Sequence, residues 1–175
     1  MTDFFKFFKL LLLAAVFFII QLSFANSLTG FFSGINFVLL YLIYVFIFYD
    51  LKTSLIVGLF SGFLLDLFSF YFFGVYSVSI IITIFIVNFL LLNLFTNKSI
   101  YSFLALGLFF SIFYYLFSSF FVYIHFWGDN EFKWINFIFL VNFLKELLFI
   151  SLAIVFSFYF LGIDDDRNKK IVWSK

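Results

Sequence analysis

Leu10 to Tyr49 contains no Lys, Arg, Asp or Glu, and neither does Leu67 to Asn97 or Ser99 to Gly128. Polar positions between these limits are isolated and small. The runs show no strict alternation of polar and apolar residues, which argues against the strands of a membrane barrel. A helix needs about 20 apolar residues to cross a bilayer, and each run exceeds that. Backbone groups in lipid must be satisfied within the chain, so helices are the remaining solution. Six apolar segments are predicted: Phe7–Ala25, Phe31–Tyr49, Ser54–Phe70, Tyr76–Phe95, Tyr101–Phe126 and Trp134–Phe160. The expected fold is all-α, a polytopic membrane helical bundle with about six transmembrane helices. It forms one transmembrane domain over 1–163, followed by a short charged tail over 164–175.

Composition agrees. Of 175 residues, 66% are hydrophobic and 11% charged, less than half the charged share usual in soluble domains. A water-soluble fold of this size could not hide so much apolar surface. There is no Cys and no Pro, so disulfides and thiolate metal sites are excluded and any helix break must come from Gly, Ser or Asn. The 37 Phe read as Leu substitutes facing lipid. The net charge of +1 and the lack of basic patches give no indication of nucleic-acid binding.

The charges set an orientation. With both termini cytoplasmic, Lys6, Lys9, Lys52, Lys98, Arg167, Lys169, Lys170 and Lys175 face inward. Lys133 alone lies in an outer loop, and Lys145 lies within a span. This is the bias expected of a cytoplasmic-membrane protein. Trp127 and Trp134 flank the last outer loop as interfacial aromatics. A competing feature is "SFA", Ser23 to Ala25, which resembles a signal-cleavage site after a basic, apolar N-terminus. Removal of residues 1–25 would leave five spans with the same orientation, so the charges do not decide it.

Because the segments are apolar all round, small and polar residues must indicate which side faces protein. Ser54, Gly58, Gly62 and Asp66 recur every four residues and form one stripe on a helix. The glycines allow close approach of another backbone. An Asp at mid-bilayer costs roughly 2.5 to 3.5 kcal/mol on insertion scales and usually faces a partner. Lys145 and Glu146 are the other intramembrane charges. Asn142, Glu146, Ala153 and Ser157 fall on one predicted face of the sixth helix. Side chains lean toward the N-terminus of their own helix, which narrows the depth gap between Asp66 and Lys145. An Asp66–Lys145 pair between the third and sixth helices is therefore expected, with local neutralisation or snorkelling of Lys145 as the alternative.

Catalytic patterns are sparse. One Asp lies within a span, and His125 sits at a helix end without an evident serine partner. There is no cluster of His, Asp and Glu for a metal, and no Gly-rich phosphate loop follows a strand. The expectation is a non-enzymatic protein with no cofactor.

The stretch "GLFSGFLLDLFSFYFFG", Gly58 to Gly74, resembles the rod-shape-determining membrane proteins of the MreD family. The family pattern is a helix of the form G-x-x-x-G-x-x-x-D-x-x-S-x-x-x-x-G, and Gly58, Gly62, Asp66, Ser69 and Gly74 supply every letter. The likeness covers Ser27 to Phe95; the last two helices match in character only. In one departure, the family's Pro-Asp/Asn-Leu turn before the second helix reads Gly34, Ile35, Asn36, Phe37 here. The resemblance implies a scaffold in the bacterial cytoplasmic (inner) membrane that supports side-wall elongation, cell shape and peptidoglycan synthesis. The implied partners are membrane lipid, MreC, RodA, a penicillin-binding transpeptidase and MreB filaments. On this reading Ser54, Gly58 and Gly62 receive a helix, while Asp66 and Gly74 shape the outer mouth. The alternative is a substrate-binding membrane subunit of an energy-coupling-factor vitamin transporter, which needs a polar pocket opening outward. A proton-coupled transporter would need Asp66 and Glu146 on one water path.

Overall fold

In lipid, each helix must close its own backbone hydrogen bonds, and the chain does so along nearly its whole described length. The computed structural model describes residues 2–25, 35–94, 100–125 and 137–160. Among these, six α-helices follow one another: α1 (Thr2–Ile20), α2 (Phe37–Phe48), α3 (Leu51–Leu67), α4 (Val75–Leu94), α5 (Ile100–His125) and α6 (Phe137–Phe160). A π-helical turn, Gln21–Ala25, extends α1. Three stretches are long and apolar enough to cross a membrane: Phe5–Ser23, Val75–Asn93 and Tyr101–Ile124. The charged tail (164–175), Trp127, Lys133 and Trp134 lie outside the described residues, as do the side chains of His125, Asn142 and Ser157.

The second segment is shorter than expected. α2 has 12 residues, about 18 Å of helix, and its predicted start before residue 35 lies outside the described residues. Protein covers most of it: Val38, Leu39, Tyr41, Leu42, Ile43, Val45, Phe46 and Ile47 are all buried, while Tyr44 is exposed. α1, α3, α5 and α6 each pack against it. A tight turn at Tyr49 and Asp50 returns the chain into α3, with the Tyr49 N–H donating to Val45 O at 2.9 Å and the Ser54 N–H to Asp50 O at 3.0 Å.

The outer helices divide their surfaces. α1 turns Leu10, Ala14 and Phe18 inward and leaves Phe5, Phe8, Leu12, Val16 and Ile19 exposed. α4 buries Ile80, Ile84, Val87 and Leu91 and exposes Phe85, Phe89 and Leu92. Large apolar side chains occupy both surfaces, as expected when one faces lipid. Small hydroxyl residues mark the inward one: Ser61, Ser79, Thr83 and Ser111 are fully buried. Each donates to the carbonyl four residues earlier in its own helix, at 2.6 to 2.9 Å, so it needs no partner across the interface.

Gly107 is an inward position that the sequence spacing does not single out. A Cβ there would collide with Ile154 Cδ1 and lie 3.4 Å from Ile150 Cγ2 and 3.6 Å from Ile43 Cγ2. Its missing side chain lets α2, α5 and α6 meet.

Candidate functional site

The first turn of a helix carries backbone N–H groups with no intrahelical acceptor. In water they are solvated; inside a bilayer they need a protein partner. α2 and α4 begin at the same end of the bundle, and side chains supply acceptors for both. At α2, Asn36 Oδ1 accepts the Leu39 N–H at 3.0 Å and Gln21 Oε1 accepts the Phe37 N–H at 2.7 Å. At α4, the acceptor is Asp66, from the last turn of α3.

Asp66 is buried, with 4% of its surface exposed. Its Oδ1 accepts the Tyr76 N–H at 2.8 Å, and its Oδ2 accepts the Ser77 N–H at 3.0 Å. The Ser77 hydroxyl also donates to Oδ2. A carboxylate at a helix N-terminus gains both these charge-assisted bonds and the favourable end of the helix dipole. The donors that the structure shows on this carboxylate belong to α4. Both oxygens are taken by donors of α4, the neighbour that a short turn brings against α3.

The remaining motif letters serve the same contact. A Cβ on Gly62 would lie 2.5 Å from the Ser77 Cα, a backbone atom that cannot move aside. A Cβ on Gly58 would lie 2.7 Å from Ile84 Cδ1 and 3.0 Å from Ile80 Cγ2. The two glycines thus bring α4 close enough for Asp66 to reach its first turn. Gly74 adopts φ of +104°, a left-handed conformation that favours glycine. Its carbonyl accepts the Val78 N–H at 2.9 Å and so opens α4. Ser69 closes α3, its N–H and hydroxyl donating to Asp66 O at 3.3 and 3.0 Å. Ser54 extends the stripe toward α2, where its hydroxyl donates to Val45 O at 3.4 Å as well as to Asp50 O at 3.1 Å. The predicted stripe faces protein, and its partners are this chain's own α4 and α2.

The turn between α3 and α4 is strongly apolar. Phe68, Phe70, Phe72 and Phe73 are exposed, Phe70 at 98%. Nothing in the spacing of these residues distinguishes them from the Phe of the spans on either side.

The predicted face of α6 is buried at Glu146 and not at Ala153. Glu146, Ile150 and Ile154 point inward, while Ala153 is exposed. Spacings of four and seven place Ala153 with Glu146; the observed inward row instead follows consecutive steps of four. Lys145 is half-buried and engaged with a neighbour. Glu146 is fully buried, and neither carboxylate oxygen meets a hydrogen-bond donor. Tyr114 of α5 lies within electrostatic reach of it and receives the Asn36 amide at 3.5 Å. The polarity of Asn36 is evident in the sequence, whereas Tyr114 is hidden among the aromatic residues of an apolar run.

Among the described residues, no group of three or more His, Cys, Asp or Glu could hold a metal. An apolar groove runs between α1, α2 and α6, lined by Leu13, Phe17, Leu40, Tyr44, Ile47 and Ala153. No family model, curated protein or solved structure matches the chain, so the clamp of α3 on α4 and the buried Glu146 rest on this chain's own geometry.

Proposed function

We propose that the chain is a non-enzymatic scaffold of the bacterial cytoplasmic membrane that belongs to the side-wall elongation machinery, as its resemblance to the MreD family implies. The observation that supports this reading is the coherence of the motif. Gly58, Gly62, Asp66, Ser69 and Gly74 all act on one hairpin of α3 and α4. A clamp of this kind fixes the relative position of two helices and leaves no titratable group of the motif free for chemistry. In this role the helix bundle is embedded in the membrane with both termini cytoplasmic, and the tail from Arg167 to Lys175 meets cytoplasmic partners or anionic lipid.

A partner span meets a surface other than the Ser54–Gly58–Gly62 stripe, which α2 and α4 already occupy. The groove between α1, α2 and α6 offers a concave apolar face of the kind a transmembrane helix fills. In the family role such partners include MreC, RodA and a penicillin-binding transpeptidase, with MreB filaments on the cytoplasmic side.

Affinity capture of the tagged full chain from membranes in mild detergent tests the proposal. Recovery of cell-wall elongation proteins, lost on disruption of the α3–α4 clamp, is the expected result. Recovery of an ATP-driven transport module instead would transfer the assignment to a vitamin-capturing subunit.

A further inference from the structure

We propose that Glu146 is a proton-binding site in the bundle interior, carrying its proton as a neutral carboxylic acid in the resting protein. The position is nine residues past the start of α6, which runs Phe137–Phe160, so the N–H groups at the start of its own helix are out of reach. The side chain has no exposed surface, and neither oxygen has a donor. Ile150, also fully buried, lies one turn farther along the same face. An ionised carboxylate can only accept hydrogen bonds, and its burial without donors is strongly unfavourable.

The helix backbones around Glu146 offer acceptors rather than donors. Helix backbones use their N–H groups internally, yet each carbonyl retains a second lone pair. This chain exploits that repeatedly, since Ser61, Ser79, Thr83 and Ser111 all donate to carbonyls of their own helices. A protonated Glu146 gains the same option, because its O–H becomes a donor. The carboxylate has no equivalent.

The contrast with Asp66 is direct. Asp66 has two backbone N–H groups and a hydroxyl directed at it; Glu146 has none. The groups around Glu146 do not change this. α5 brings Tyr114, whose hydroxyl accepts from Asn36 and makes no hydrogen bond to Glu146, with Tyr76 and Asp66 beyond it. α2 brings Tyr41 and Tyr44 to the groove beside Ile150 and Ile154, and the Tyr41 hydroxyl donates to Leu10 O at 2.8 Å. On α6 itself, Lys145 is about 100° around the helix from Glu146 and has its own contact. The proposal is independent of the elongation role: it concerns a protonation state, and holds or fails whichever proteins the chain binds.

The test uses the fact that the chain contains two glutamates, Glu131 and Glu146. Full-length E131Q protein, labelled with carbon-13 at the glutamate side-chain carboxyl, is reconstituted into lipid bilayers. Isotope-edited infrared spectra are recorded from mildly acidic to mildly alkaline pH. The expected result is a single labelled acid carbonyl band that stays in place throughout. A labelled carboxylate band at neutral pH would overturn the proposal and assign the site to a bound cation or ordered water. The measurement needs no substitution at Glu146, so it does not depend on any Glu146 variant folding.

Discussion

Ser77, in the first turn of α4, gives both its backbone N–H and its hydroxyl to Asp66, in the last turn of α3. The Tyr76 N–H joins them on the other oxygen. An acid inside an otherwise apolar hairpin is thus the cap of the next helix. It satisfies backbone groups that lipid could not.

Asp66→Ala removes the acceptor for three donors and leaves two partly buried N–H groups unpaired. The expected loss is about 2–4 kcal/mol of stability, at roughly 1–3 kcal/mol for each buried polar group left without a partner. Asp66→Asn retains one carbonyl oxygen and is expected to lose less. Thermal denaturation in mild detergent, with intact monomer read by size exclusion, orders the three proteins. Equal stability of Asp66→Ala and the parent would refute the capping role.

The two glycines of the stripe differ in what they face. At Gly62 the obstacle is the Ser77 Cα; at Gly58 it is the tips of Ile84 and Ile80. Gly62→Ala must push α3 and α4 apart, at about 1–3 kcal/mol for overpacking, and is expected to be the more damaging. Ile84→Val should rescue Gly58→Ala, because it removes the methyl that a new Cβ meets. It should not rescue Gly62→Ala. The same unfolding assay reads both pairs.

Gly74 has open space around it: a Cβ there would lie 3.9 Å from Val78 Cγ2, so crowding is not its constraint. The constraint is its φ of +104°. Gly74→Ala therefore costs about 1–3 kcal/mol through backbone strain alone. No enlargement of space around Val78 should recover that loss, and a Val78→Ala, Gly74→Ala double variant that regained parental stability would contradict the assignment.

The four exposed phenylalanines between α3 and α4 carry a prediction about depth. Phe70 at 98% exposure is unfavourable in water and acceptable at the hydrocarbon boundary of a membrane. A Phe70→Trp protein in which Trp127, Trp134 and Trp173 are replaced by Phe should show blue-shifted fluorescence quenched by lipids brominated high on the acyl chain. Water-like emission, quenched by iodide instead, would place the turn outside the bilayer.

The sequence alone was sufficient for the helical class, for the number of helices among the described residues, and for the stripe of Ser54, Gly58, Gly62 and Asp66 as a protein-facing surface. Long uncharged runs, the spacing of small residues and the cost of a buried charge each carry that information locally. The sequence did not reveal which helix the stripe meets, or that Ile150 and Ile154 rather than Ala153 continue the inward row from Glu146. Residue spacing does not show that Asp66 accepts from Tyr76 and Ser77; it sets Ala153 beside Glu146, yet Ala153 is exposed. In a soluble protein, the alternation of apolar and polar residues marks the buried face of each helix. Here Phe and Leu cover both faces because lipid is as apolar as the core. Partner choice then depends on the axial offset and close approach of whole helices, set by Gly58, Gly62 and Gly107 acting together across elements, and those quantities exist only once the helices are assembled.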